Sequence, residues 1–141
     1  MKKIIIALGV FLLMITGCGS KELVCTSTET FAGETYTERL TFVFNRRGQN
    51  MVSYTIFEEQ TYNDVTEMDE DYANLIALCE RYKFTNGVTC SISRSGNRLA
   101  LTWRVVIAEL DRGLDEAATR ISQKSIEELR ELMESDNYIC N

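Results

Sequence analysis

The chain of 141 residues contains no histidine and no proline. Without histidine it lacks the usual general base, the commonest zinc ligand and every Ser-His or Cys-His nucleophile arrangement. With no proline, and no Gly- or Ser-rich tract or repeat, nothing reads as an interdomain linker, so one domain over residues 23–141 is expected. Basic residues are scarce too, with 15 Lys plus Arg against 21 Asp plus Glu and a formal charge of −6. Arg39, Arg46, Arg47, Arg81, Arg94, Arg98 and Arg104 are scattered. No basic stripe interleaved with aromatics and no polybasic run occurs, which argues against nucleic acid and against a lipid-binding basic tract. Phosphate-loop, calcium-loop, Cys-x-x-Cys, Gly-x-Ser-x-Gly and Ser-x-x-Lys patterns are all missing. No catalytic residue, metal or cofactor is expected.

Long apolar runs are missing with one exception. Lys2 and Lys3 precede an uncharged stretch from Ile4 to Ile15, followed by Thr16, Gly17 and Cys18. As a helix this stretch would span roughly 18 Å, well short of the ~30 Å hydrocarbon core, so it suits an export signal and not a permanent span. Ile15, Thr16, Gly17 and Cys18 resemble a bacterial lipobox. The resemblance implies acylation of the Cys18 sulfur and cleavage before it, giving a signal over 1–17 and a tether over 18–22. The competing reading is an ordinary cysteine in a plain secretory signal. The count of five cysteines favours the lipobox, because lipidating Cys18 leaves an even four for an oxidising compartment. Two or three acyl chains anchor firmly where one is marginal. The expected address is the cell envelope, on the extracytoplasmic side of the membrane. Loss of Lys2 and Lys3 would take the formal charge from −6 to −8.

Alternation of apolar and polar residues predicts strands over Lys21–Thr30, Tyr36–Phe44 and Val52–Ile56, an antiparallel meander with turns at Phe31–Gly33 and Asn45–Gly48. Thr66, three before Asp69, reads as a helix N-cap. Met68, Tyr72, Leu75, Cys79 and Tyr82 then share one helical face, with Asn86 and Gly87 as the stop. A second hairpin pairs Val88, Cys90 and Ile92 with Leu99, Leu101, Trp103, Val105 and Ile107. Residues 111–120 are ambiguous between loop and short helix. Ile121 and Ile126 flank Ser122 like a hydrophobic staple, opening a last helix striped by Ile126, Leu129, Leu132 and Met133. The expected fold is α+β, an antiparallel sheet of meander plus second hairpin packed against two or so amphipathic helices and stapled by disulfides.

Four cysteines allow three pairings, none excluded by sequence alone. Cys79 and Cys90 both fall on faces that should meet between helix and sheet, which favours that pair and leaves Cys25 with Cys140. Free buried thiols are the alternative.

The densest acidic group, Asp64, Glu67, Asp69, Glu70 and Asp71, reads as a solvated first helical turn, and its spacing does not suit calcium. Glu127, Glu128, Glu131 and Glu134 read as helix surface. Ser20 with Lys21, and Ser122, Lys124 and Ser125, read as tether and cap. Trp103, Tyr36, Tyr54, Phe42 and Phe44 sit in strand phase and read as core, whereas Phe31 and Phe57 fall out of phase and suit exposed contacts. In element order the chain is similar to the small YehR-like lipoproteins, whose resemblance implies a fold and no assigned activity. The expectation is a monomeric, non-enzymatic lipoprotein that meets the membrane through the lipid on Cys18 and binds a small ligand, peptide or envelope protein. A structural accessory module is the alternative. A histidine-free hydrolase would need a carboxylate pair in a cleft.

Overall fold

The computed structural model describes residues 19–110 and 120–141. Cys18, the apolar stretch before it and most of the ambiguous 111–120 segment lie outside the described residues; residues 120–122 are helical. Three strands come first, β1 (Lys21–Phe31), β2 (Glu34–Phe44) and β3 (Met51–Thr61), followed by helix α1 (Val65–Tyr82). Strands β4 (Val88–Ser95) and β5 (Arg98–Val106), a 3-10 turn at Ile107–Glu109, helix α2 (Ile126–Ser135) and the two-residue β6 (Ile139–Cys140) complete the order. The fold is α+β, and β3 pairs with β5, so the meander and the second hairpin merge into one antiparallel sheet ordered β4-β5-β3-β2-β1-β6.

The register explains the core. One row across the sheet contains Leu23, Phe42, Tyr54, Val105 and Val88; the next contains Cys25, Leu40, Ile56, Trp103 and Cys90. Because side chains alternate with period two, these rows lie on one face, and both helices cover it. Helix α1 packs on β4 and β5, and α2 on β1 and β6. Leu23, Cys25, Phe44 and Leu129 are fully buried between α2 and the sheet, while Met68 on α1 is buried with Leu99 and Tyr62. Tyr82 meets Trp103 edge to face at 4.7 Å between ring centroids. The opposite face is rich in threonine, with Thr28 facing Thr37 and Thr30 facing Thr35, and Phe57 lies there half-buried beneath Arg39.

Disulfides join Cys25 to Cys140 and Cys79 to Cys90. The first locks β6 against β1, where the two cysteines are register partners; the second pins α1 to the β4 edge.

Four local expectations need correction. Phe44 pairs with Met51 but Val43 with Ser53, so Val52 is the extra residue of a bulge and lies exposed, out of the row that holds Tyr54. The N-cap of α1 is Asp64, whose carboxylate accepts from the Thr66 amide at 2.7 Å; Thr66 is the capped residue. Helix α1 ends at Tyr82, earlier than Asn86, because Gly87 serves the turn into β4. At φ +75°, a Cβ on Gly87 would lie 2.8 Å from the Val106 carbonyl oxygen. Finally, Ser122 ends the preceding helical residues, and Ser125 caps α2 through a capping box with Glu128.

Candidate functional site

The two helices cover the two flanks of the sheet and leave the middle of β2 and β3 uncovered toward the Phe31 end. There the inward rows change character. Glu38 stands directly opposite Glu58, and Tyr36 opposite Gln60, on the same face as Leu40 and Ile56. Like charges opposed on neighbouring strands repel, and both glutamates are half-buried. Each has a phenol beside it. The Tyr138 hydroxyl, brought in by the turn after α2, donates to Glu38 Oε2, and the Tyr36 hydroxyl interacts with Glu58. A third such pair stands at the α1 side, where the Tyr62 hydroxyl donates to Asp71 Oδ2 at 2.9 Å.

Between the Tyr36–Glu58 and Tyr62–Asp71 pairs lies an open cleft of about 250 Å³, with Glu38 and Tyr138 behind its Glu58 wall and outside its lining. Its floor is Leu75, Leu99 and Leu101, and its walls include Tyr36, Glu58, Gln60, Tyr62, Asp71 and Asn74. No cation lines it. Burial pushes Glu58 above the usual carboxylate range, the Glu38 charge adds to this, and the Tyr36 hydrogen bond opposes both. Burial likewise raises the Tyr36, Tyr62 and Tyr138 phenols far above their ordinary range, reinforced by the neighbouring carboxylates. All three therefore stay protonated at physiological pH and direct their protons at carboxylates. What the cleft offers a ligand is chiefly acceptor oxygen above an apolar floor.

The raised pKa has a measurable consequence. Glu58 binds its proton more readily in the folded than in the unfolded chain, so its contribution favours folding below its folded pKa and is lost as pH rises through it. Glu58→Gln is expected to flatten stability against pH above about 4.5. Urea denaturation of both proteins across that range checks this; parallel curves would refute it.

Other expected candidates take structural places. Of the acidic group, Asp64 caps α1, Asp69 pairs with Arg94 at 2.6 Å, and Asp71 joins the cleft; among the described residues no cluster is arranged to hold a metal ion. Glu128 is held by the Ser125 cap, which keeps its carboxyl below the ordinary value. Phe42, Phe44 and Tyr54 are core, with Trp103 packed against them, but Tyr36 belongs to the cleft. Phe31 is 86% exposed at the β1–β2 tip.

No family model matches the chain, and no curated protein matches it. The NMR structure of a protein from Streptococcus pneumoniae TIGR4 is similar in fold. It superposes with a TM-score of 0.59 over 86% of this chain and 85% of that one, at 11% identity. The likeness is one of fold alone. It leaves the chemistry of the cleft to be argued from Tyr36, Glu38, Glu58, Tyr62 and Asp71. Neither glutamate stands out in the sequence. The available signal is phase, since Glu38 precedes Leu40 by two and Glu58 follows Ile56 by two, which puts both on the inward face.

Proposed function

We propose that the protein is a non-enzymatic, lipid-anchored envelope module of the kind the lipobox and the YehR-like element order imply, and that its cleft binds a ligand bearing a basic group on a small apolar body. The observation that carries this reading is the acceptor-rich wall of Glu58 and Asp71 above Leu75, Leu99 and Leu101, with no cation among the lining residues. An ammonium or guanidinium would satisfy carboxylate oxygens that the tyrosines leave open and would relieve the repulsion between Glu38 and Glu58. A short lysine- or arginine-bearing peptide fits these terms, and an acidic one does not.

The test is a titration followed by amide chemical shifts, using a basic and an acidic tripeptide of matched size. Binding of the basic peptide should perturb β2, β3 and α1 residues around the cleft, and Glu58→Gln combined with Asp71→Asn should weaken it by roughly tenfold or more, the loss expected for a charge-assisted pair. Equal response to both peptides would sink the reading. One observation favours a second reading: two opposed carboxylates, one with a raised pKa, are the equipment of acid catalysis on glycosides. Turnover of a chromogenic glycoside that disappears in Glu58→Gln would support that alternative.

A further inference from the structure

We infer that the end of the domain where β1 begins is a docking surface for the anionic bilayer that holds the chain's own anchor, with Phe84 as its apolar contact; this rests on the proposed acylation of Cys18. The chain enters the described structure at Gly19, three residues at most, or about 10 Å, from Cys18 to Lys21. The β1 start is therefore held near the membrane. Strand β1 spans 11 residues, roughly 34 Å, from this end to the Phe31 tip, so the two ends of the domain lie at different reach from the anchor.

The same end gathers the β2–β3 turn, the end of α1 and the start of β4. The Val106 amide donates to the Gly87 carbonyl, holding the α1–β4 turn to the end of β5, and the Ile126 amide donates to the Gly48 carbonyl, holding the β2–β3 turn, beside Lys21, to the start of α2. Phe84 projects from the α1–β4 turn, 90% exposed, a degree of exposure that water does not favour for a phenyl ring. Around it the charge balance reverses. Among the described residues, Lys21, Arg46, Arg47 and Arg81 form no ion pair, Lys83 is paired with exposed Glu80, and the other exposed acids at this end are Glu22 and Glu109. The start of α2 adds no net charge, with Arg120 and Lys124 against Glu127 and Glu128. At the far end, Glu29, Glu34, Asp64, Glu67 and Glu70 outnumber Arg94 and Arg98. The described residues are thus polarised although the chain is acidic as a whole, and an anionic surface attracts the anchored end and repels the other. No polybasic run exists in the sequence because these cations come from separate turns. The docked pose turns the Tyr36–Glu58 cleft, in the distal half of the sheet, away from the bilayer.

The test uses the acylated full-length product purified from membranes, with its acyl mass verified, and reconstituted in vesicles of brominated phosphatidylglycerol or brominated phosphatidylcholine. Phe84→Trp and Phe31→Trp place reporters at the two ends, both at exposed positions that leave the core intact. Lipid quenching of Trp fluorescence, corrected for the parent protein, should be roughly threefold stronger for Phe84→Trp than for Phe31→Trp in phosphatidylglycerol, and should fall in phosphatidylcholine or at about 1 M salt, where the Debye length is about 3 Å. Arg46→Glu with Arg47→Glu should abolish the lipid dependence; the turn itself is held by Asn45 and is untouched by that change. A chain that floats with the vesicles without quenching of Phe84→Trp overturns the docking and leaves the anchor standing. A chain that carries no acyl mass and does not float overturns both, and stronger quenching of Phe31→Trp overturns the orientation.

Discussion

Alanine at both Cys25 and Cys140 is expected to lower the unfolding free energy by roughly 4–5 kcal/mol, against about 3 kcal/mol for the Cys79 and Cys90 pair. The difference follows from loop length. The first bridge closes a separation of 115 residues and the second only 11, and the entropy withheld from the unfolded chain grows with the logarithm of that length. Native contacts reinforce the ranking, because Cys25 is fully buried in the inward row beside Leu40 whereas Cys79 and Cys90 are partly exposed at the β4 edge. A loss of this size is a large part of the 5–15 kcal/mol that holds a typical domain together. Guanidinium denaturation of the two double variants, with the parent measured oxidised and reduced, gives the comparison. Equal losses, or a larger loss at Cys79 and Cys90, would mean that native packing at the edge outweighs loop closure.

That bridge also shows what could be read before the structure. Cys79 was legible as an inward residue because it repeats with Met68, Tyr72 and Leu75 at helical spacing, and Cys90 because it alternates with Val88 and Ile92. Once those two are paired, Cys25 and Cys140 remain. Period-two alternation likewise made β1, β2 and the β4–β5 hairpin readable. What failed was local. Val52 looks like one more strand residue, and only pairing with Val43 and Phe44 shows it to be the extra one. Thr66 with Asp69 three residues on has the spacing of a cap, yet Asp64 is the residue that caps α1, and that choice depends on where β3 releases the chain. The joining of β3 to β5 depends on contacts between distant segments that no periodicity reports. The cleft was hidden for the same reason. Glu38 and Glu58 each resemble an ordinary solvent charge, and their opposition exists only in the register of two strands.

Leu129→Ala is expected to cost about 3 kcal/mol, near the middle of the range for emptying a buried leucine site. Leu129 is fully buried and lies in the cluster with Leu23, Cys25 and Phe44, so its side chain is where α2 is held on the sheet. Leu132, on the same helix but 38% exposed, should lose less than about 1 kcal/mol on the same change. The effect should extend beyond stability. The Tyr138 amide donates to the Met133 carbonyl at the end of α2, and its hydroxyl to Glu38, so α2 positions the phenol that shields one of the opposed carboxylates. Loosening α2 would let water reach Glu38 and Glu58 and move the Glu58 carboxyl back toward its ordinary value. Denaturation measures the first effect, and carboxyl chemical shifts followed against pH measure the second. A variant that loses stability while the Glu58 titration stays unchanged would show that the cleft is set by β2 and β3 alone, independent of the helix that borders it.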